Sequence, residues 1–378
     1  MNKIKIAFIK FGGLCSAGTD KWYQVIAANL PVDEFHVDYY YCDAAPYIGS
    51  DFDHPTTDKS RLEYMQNSGV NLIKFQVGFK DVRYYTHPWV NTNFWEVFVE
   101  SKYDIITSAR AGHPEFPWLY MEKKPKIDFI TLPNMADGET KNIYKTIHIS
   151  RYQADSWLRV GGNTPYEIIP LFSEHLPSDG PNLRSELNLD DKIVYGMHQR
   201  DCDGIFSPIP LEAYSNIENE KTAFLLMGGS PLYREQAKTL GLKNFHPVNF
   251  SGDHNQINKF LRTLDVYSHG RKDGETFGHS IAEGMSYGCP VVSHVAPAMG
   301  HVETVGECGF IANSVEEYSS LMKKLLEKEP RENLGNHSKK RFMENLSINA
   351  NMKKITNLFK ECSGFRRQNP ATHKRGLR

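Results

Sequence analysis

Short apolar runs alternate with amphipathic stretches along the chain, in the order that builds parallel sheets covered by helices. Lys3–Phe11 is predicted to be a buried strand, and Thr19–Leu30 has the apolar spacing of a helix. Gly12 and Gly13 lie in the loop between them, without the G-x-G-x-x-G spacing of a dinucleotide site. The same order begins again at Lys192–Gly196. The pattern predicts an α/β fold with two Rossmann-like domains.

Composition indicates where one domain ends and the next begins. Residues 161–180 are rich in Gly, Pro and Ser, which is typical of a linker, and Phe342–Cys362 has a helical pattern. The predicted organisation is a first domain at residues 1–170, a linker at 171–190, a second domain at 191–345, a helix at 346–365 and a basic tail at 366–378.

The balance of charges and the positions of the cysteines argue against some classes of protein. Lys and Arg number 44 against 45 Asp and Glu, so the balance argues against a nucleic-acid binder. The six cysteines are scattered, which argues against a disulfide framework and predicts a cytoplasmic protein. Lysines interrupt the first apolar run, so no signal peptide is expected. The basic tail suggests weak association with a membrane surface, although a solvated tail is the preferred interpretation.

The segment Asp265–Ser293 combines two carboxylates with the start of a helix. A short strand is followed by His269–Gly278, predicted to be an exposed loop, and by a predicted helix at His279–Tyr287. Glu275 lies in the loop and Glu283 in the second turn of the helix. The first amides of that helix lack intrahelical partners and lie at the positive end of its dipole.

Carboxylates that accept sugar hydroxyls, beside amides that bind phosphate, suit a nucleotide-sugar. The alternative is two solvated glutamates on an amphipathic helix, and that alternative would be preferred for an isolated pair at this spacing. The surrounding residues therefore decide between the two interpretations.

ETFGHSIAEGMSYGCPVVS resembles the E-x7-E signature of the GT-B glycosyltransferases grouped as family 4, a large retaining family. An acidic residue, a Phe-Gly pair, a second Glu, a small-residue turn and Gly-x-Pro-Val-Val follow in order. The resemblance covers residues 192–327 strongly, and the first half only through its architecture and one glycine loop. It implies two Rossmann-like domains whose parallel sheets face each other across a cleft, with an acceptor in the first domain and a nucleotide-sugar donor in the second. It also implies that the helix at 346–365 crosses back to the first domain.

The resemblance also implies roles for individual residues. Glu275 would contact hydroxyls of the donor sugar at the catalytic centre, and Glu283 would bind the ribose. The donor diphosphate would be held by Arg200 and by the amides of Thr276, Phe277, Gly278 and His279.

Three residues of the first domain match the family by position alone. Gly12 and Gly13 lie where a glycine loop approaches the donor phosphates, and His113 lies where a histidine is near the transferred sugar. A tight turn without a ligand and a structural histidine are equally good interpretations of these residues.

One expected cation is missing. In the family a lysine follows the arginine by a few residues and shares the diphosphate, but Gly204–Ser207 occupies that region here. Either Arg200 acts with another cation, with Arg271 or Lys272 nearest the signature, or phosphate binding is weaker. The gap leaves the donor open.

Two D-x-D motifs, Asp51 to Asp53 and Asp201 to Asp203, would suggest a divalent metal in another glycosyltransferase fold. Neither follows a strand in a way that would bring its carboxylates together on an ion. We therefore expect no essential metal and no cofactor beyond the nucleotide-sugar cosubstrate.

The predicted activity is retaining transfer of a sugar to a glycan, a lipid-linked or a small-molecule acceptor. A nucleotide-sugar epimerase or a phosphorylase on the same fold is an alternative, and use of free phosphate as cosubstrate would indicate the phosphorylase. A non-catalytic module would bind the donor without releasing nucleoside diphosphate.

Overall fold

A computed structural model describes residues 2–15, 18–43, 57–76, 92–110, 116–132, 142–172 and 179–368. The chain divides into two compact units, one formed by Met1–Ile169 with Asn351–Arg378 and the other by Pro170–Ala350. No described helix is long and apolar enough to cross a bilayer.

The first unit is built on a parallel sheet of seven described strands, in the order β3-β2-β1-β4-β5-β6-β7. The strands are β1 (Ile4–Ile9), β2 (Phe35–Tyr41), β3 (Asn71–Lys74), β4 (Ile105–Arg110), β5 (Lys126–Ile130), β6 (Ile143–His148) and β7 (Tyr166–Ile168). Its helices are α1 (Gly18–Ala28), α2 (Lys59–Asn67), α3 (Phe94–Val97), α4 (Phe116–Tyr120) and α5 (Arg151–Arg159), with the last helix of the chain, α14 (Ile348–Gln368).

Both faces of this sheet are covered, as the near-continuous apolar strands require. Ala7 and Ile9 of β1 belong to a buried cluster with Phe94 of α3. Phe8 points to the opposite face, where its ring lies 6.1 Å from that of Phe359 on α14. The last helix therefore completes the core of the first unit.

The second unit contains a six-stranded parallel sheet in the order β10-β9-β8-β11-β13-β15 and a two-stranded one made of β12 and β14. The strands are β8 (Ile193–Gln199), β9 (Thr222–Gly228), β10 (Phe245–Val248), β11 (Val266–Ser268), β12 (Gly274–Glu275), β13 (Val291–His294), β14 (Ala298–Met299) and β15 (Gly309–Ala312). The helices are α6 (Arg184–Leu187), α7 (Ile209–Ser215), α8 (Leu232–Thr239), α9 (His254–Leu261), α10 (His279–Ser286), α11 (Gly300–Val305), α12 (Val315–Lys324) and α13 (Lys328–Arg341).

The two large sheets share one topology. In each, the order of the first six strands in sequence is 3-2-1-4-5-6, the doubly wound Rossmann order. The prediction of an α/β chain with two Rossmann-like domains is confirmed. In such sheets the connections leave in opposite directions at the point where the order reverses, and the crevice at the carboxyl ends of those strands is the usual ligand site. In the second unit that point lies between β8 and β11.

One local prediction is wrong. His269–Gly278 is not an exposed loop, because its Gly274 and Glu275 pair with Ala298 and Met299. Phe342–Cys362 is largely helical, as its pattern predicted, but a π-helical turn at Phe342–Leu346 ends at an extended Ser347. The Ser347 hydroxyl then accepts a hydrogen bond from the amide of Ala350 and caps α14.

Most of the aromatic side chains described between residues 71 and 98 are in the core. Phe75, Phe94 and Phe98 are buried, whereas Trp95 is 51% exposed.

We expect the Phe359→Ala variant to lower the free energy of unfolding of the first unit by about 3–5 kcal/mol, because truncation leaves a cavity beside Phe8, Phe35 and Phe129. Denaturant unfolding measures the change. Lys353→Ala, on the exposed face of the same helix, is the matched control and should leave the midpoint unchanged. Equal stability of Phe359→Ala and the wild type would contradict the packing of α14 on this sheet.

Candidate functional site

The carboxyl ends of β8 and β11 bring together the residues of the candidate site. His198 and Gln199 end β8 and Arg200 follows it, while His269 follows β11. The Gln199 side-chain amide donates to the carbonyl of Gly270 at 2.6 Å, which joins the two strand ends. The site therefore lies at the point where the strand order reverses.

The loop that carries Glu275 is held by backbone contacts. Gly274 and Glu275 pair with β14, and the amide of Ala298 donates to the carbonyl of Asp273 at 3.0 Å. Gly274 has a φ of 74°, and a Cβ atom there would lie 2.0 Å from the carbonyl oxygen of Ala298. Only glycine fits both conditions, so this position sets the direction in which the next residue, Glu275, leaves the backbone.

Glu275 is largely buried and faces positively charged or ionisable groups. Arg271 Nη1 lies 3.3 Å from its Oε1, and His269 Nε2 lies 3.8 Å from the same oxygen. Burial alone would raise the pKa of Glu275, but His269 and the Arg271 guanidinium outweigh it and hold that pKa below its usual range. Glu275 is thus an ionised carboxylate in a site where only 22% of its side chain is exposed.

Glu283 lies on α10 with its side chain 12% exposed. His198 Nε2 is 2.8 Å from Oε2, and His279 Nδ1 is 3.6 Å from Oε1. The helix lies close to β11, because a Cβ atom on Gly284 would meet the Tyr267 ring at 2.5 Å. The glycine beside Glu283 therefore permits the close packing that brings this carboxylate to the end of β8.

The start of α10 lies beside both carboxylates. His279 is the first helical residue and Gly278 caps the helix with a φ of 90°. Thr276 and Phe277 lead into that turn, and the Thr304 hydroxyl fixes it by donating to the carbonyl of Phe277 at 2.5 Å. The arrangement presents the positive end of an eight-residue helix at the sheet edge.

Arg200 and Lys272 supply positive charge near Asp273, in the segment that leads to this turn. Arg200 is exposed, and its charge helps to hold the pKa of Asp273 low, after the larger effects of burial, which raises that pKa, and of Arg271. The amide of Lys272 donates to the carbonyl of Ile205 at 3.2 Å, which places Lys272 against the segment where the sequence lacks a lysine.

Of the two cations considered for the missing lysine, Arg271 already has two partners. Its guanidinium binds Asp273 at 2.6 Å and Glu275 at 3.3 Å. Lys272 is exposed, and no ion pair joins its ammonium group to another residue of the described ranges.

The remaining candidate residues belong to the first unit, lie outside the described residues or have other partners. Gly12 and Gly13 belong to the first unit, and the backbone of Gly12 is bonded to Cys42, whose amide donates to the Gly12 carbonyl at 3.0 Å. His113 lies outside the described residues, as do Asp51, Asp53 and most of the basic tail. Asp203 accepts a hydrogen bond from the Ser230 hydroxyl. Within the described ranges no group of three His, Cys, Asp or Glu residues could hold a metal ion.

Sequence reasoning missed the histidines around the two carboxylates. His198, His269 and His294 lie at the carboxyl ends of β8, β11 and β13, all central to the sheet. A histidine at the end of each of three neighbouring strands is a signal that the sequence already contained. His301 is also buried, and burial followed by the nearby His269 lowers the pKa of His301 to about 4, so its ring is neutral near pH 7.

Comparison with known proteins agrees with this geometry. Residues 210–341 match the family model described as glycosyl transferases group 1, and this range includes both glutamates. The protein is a glycosyltransferase. A comparison with curated proteins found no match.

Solved structures with the same fold cover nearly the whole glycosyltransferase. HepE from Anabaena, crystallised with UDP and glucose, has a TM-score of 0.70 at 16% identity, over 94% of this chain and 99% of its own. Sucrose-phosphate synthase from Thermosynechococcus elongatus has a TM-score of 0.71 at 16% identity, over 96% and 100%. A glycosyltransferase from Rickettsia africae has a TM-score of 0.70 at 14% identity, over 96% and 99%. The fold is GT-B.

The lowered pKa of Glu275 predicts how the stability of the second unit depends on pH. Because the folded-state pKa lies below the ordinary value of 4.5, the ionised carboxylate stabilises the second unit above that value, and the contribution is lost as the pH falls through the lowered pKa. We expect Glu275→Gln to melt at a lower temperature than the wild type at about pH 7, with a gap that narrows toward about pH 4. Calorimetric melting across this range measures it, and a gap that widens in acid would contradict the assignment.

Proposed function

We propose that this glycosyltransferase is a retaining enzyme of family 4 that takes its sugar from a nucleotide-sugar donor. The observation that supports the proposal best is the pair of buried carboxylates, Glu275 and Glu283, beside the start of α10 at the reversal point of the sheet. HepE has the same fold and was crystallised with UDP and with UDP-glucose. A uridine diphosphate sugar is therefore the first donor to test.

Each group has a role that its chemistry suits. Glu275, ionised and nearly buried, accepts hydroxyls of the donor sugar, and Glu283 accepts hydroxyls of the ribose. The amides of Thr276, Phe277, Gly278 and His279 at the helix start stabilise the diphosphate. Arg200 and Lys272 add two positive charges beside them, and Lys272 takes the place of the lysine that the sequence lacks.

The reaction exchanges one glycosidic bond for another. The bond from the anomeric carbon to the diphosphate oxygen breaks, and an acceptor hydroxyl oxygen bonds to the same face of that carbon. The acceptor proton passes to the departing phosphate oxygen, and the nearby cations and amides stabilise the charge of the leaving group. This front-face route needs no enzymic nucleophile.

The first unit is proposed to hold the acceptor, a glycan, a lipid-linked sugar or a small molecule. Gly12 and Gly13 are proposed to approach the donor phosphates, and His113 to lie near the transferred sugar. The protein is proposed to act in the cytoplasm. Its basic tail is proposed to be a solvated segment, with weak association with anionic membrane surfaces as the alternative.

We expect Glu275→Ala to lower kcat by about a hundredfold or more, because a buried charged contact to the reacting sugar is lost. Donor and acceptor are first identified by a thermal-shift screen of nucleotide-sugars and by release of nucleoside diphosphate. Glu235→Ala, an exposed glutamate on α8, is the control and should turn over as the wild type does. Wild-type kcat in Glu275→Ala would exclude the assignment, and donor binding without any release would indicate a non-catalytic module.

Lys272→Ala should raise the KM for the donor by about tenfold, since one charge-assisted contact to the diphosphate is worth about 1.5–3 kcal/mol. Lys272→Arg should recover most of the loss. Lys238→Ala, an exposed lysine on α8, controls for a general change in surface charge. An unchanged KM for Lys272→Ala would mean that Arg200 acts without this partner.

A further inference from the structure

His198 is a buried imidazole between a tyrosine and a carboxylate. It ends β8, and its Nε2 lies 2.8 Å from Oε2 of Glu283. Its Nδ1 lies 3.2 Å from the hydroxyl of Tyr267 on β11. Its side chain is 10% exposed, so water competes little for either contact.

The groups that contact His198 indicate which of its ring nitrogens carries a proton. An ionised carboxylate only accepts hydrogen bonds, so Nε2 of His198 carries the proton that Glu283 accepts. Burial raises the pKa of Tyr267 far above its ordinary value, so the phenol stays protonated and donates to Nδ1. The result is a directed chain in which Tyr267 donates to His198 and His198 donates to Glu283.

The chain is anchored on rigid elements. Tyr267 is fully buried in the central strand β11, and its ring lies 5.8 Å from that of His198. Phe260 of α9 contacts the same imidazole, with its ring centroid 5.9 Å away. The imidazole is therefore packed on two sides. It fixes one oxygen of Glu283 relative to the sheet, although Glu283 itself lies on α10.

We propose that His198 is a positioning residue that orients the Glu283 carboxylate to receive hydroxyls of the bound donor. The inference rests on the proposed nucleotide-sugar site. A carboxylate has acceptor capacity for about four hydrogen bonds, so the one from His198 leaves capacity for the ligand. A Glu283 carboxylate that is oriented before the donor arrives lowers the entropy cost of binding. Removing His198 should therefore weaken donor affinity and leave the chemical step at Glu275 nearly unchanged.

The test compares two replacements of His198. His198→Gln places a side-chain amide donor near the position of Nε2, whereas His198→Leu keeps volume and removes the donor. We expect His198→Leu to raise the donor KM, and the Kd for bare nucleoside diphosphate, by about tenfold with kcat within about twofold, and His198→Gln to recover most of the affinity. His246→Leu, a half-buried histidine on β10, is the control and should bind as the wild type does.

A double-mutant cycle separates positioning from packing. In a Glu283→Ala background, His198→Leu should cost almost nothing further, because the partner through which it acts is gone. Nitrogen NMR of the histidine rings adds a measurement that does not need activity: the Nε2-protonated form of His198 is expected in the wild type, and its Nε2–H signal is expected to shift in Glu283→Ala, where the acceptor of that proton is gone.

The outcomes distinguish the two proposals. If the wild type binds neither a nucleotide-sugar nor a nucleoside diphosphate, the proposed function fails. If the wild type binds these ligands and His198→Leu keeps full affinity, the positioning role fails and the donor site stands. The same conclusion follows if the losses of donor affinity in His198→Leu and Glu283→Ala simply add in the double variant. A fall in kcat at constant KM would also overturn the inference.

Discussion

The site depends on one topological constraint, the reversal of strand order between β8 and β11. Connections from these parallel strands leave toward opposite faces of the sheet, so their carboxyl ends are open to a ligand. Arg200 follows one strand and His269 the other, although they are far apart in sequence. The helix α10 begins at this edge, and its amides and dipole favour an anion there. The topology thus brings the groups that we propose to bind phosphate and sugar to one place.

Burial of the two glutamates favours the neutral form of their carboxyl groups, and the surrounding residues oppose that effect. Desolvation raises the pKa of a carboxyl group, whereas a neighbouring cation or hydrogen-bond donor lowers it. Glu275 has Arg271 and His269, and Glu283 has His198 and His279, so each carboxylate faces at least one imidazole. These partners allow the largely buried carboxylates to remain hydrogen-bond acceptors. Thus His198, at the end of β8, contacts Glu283 on a helix, and His269, after β11, contacts Glu275 on a loop.

The second unit also brings the backbone of another lysine beside the segment that lacks one. The segment Gly204–Ser207 contains no lysine, yet the backbone of Lys272 is bonded to Ile205 within it. A positive charge near a phosphate site acts through its distance from the ligand, not through its place in the sequence. Arg271, its neighbour, is occupied by Asp273 and Glu275. Adjacent cations in one loop therefore have different surroundings.

The sequence by itself determined the two α/β halves and the signature segment, because strand and helix patterns and glycine stops are local properties. Local patterns could not show that Gly274 and Glu275 pair with Ala298 and Met299, or that Ser347 breaks a helical run. Only the tertiary structure decided which histidines meet which carboxylates. His198 and Glu283 are 85 residues apart, and a hydrogen bond between them depends on strand order and close packing at Gly284, which no periodicity records.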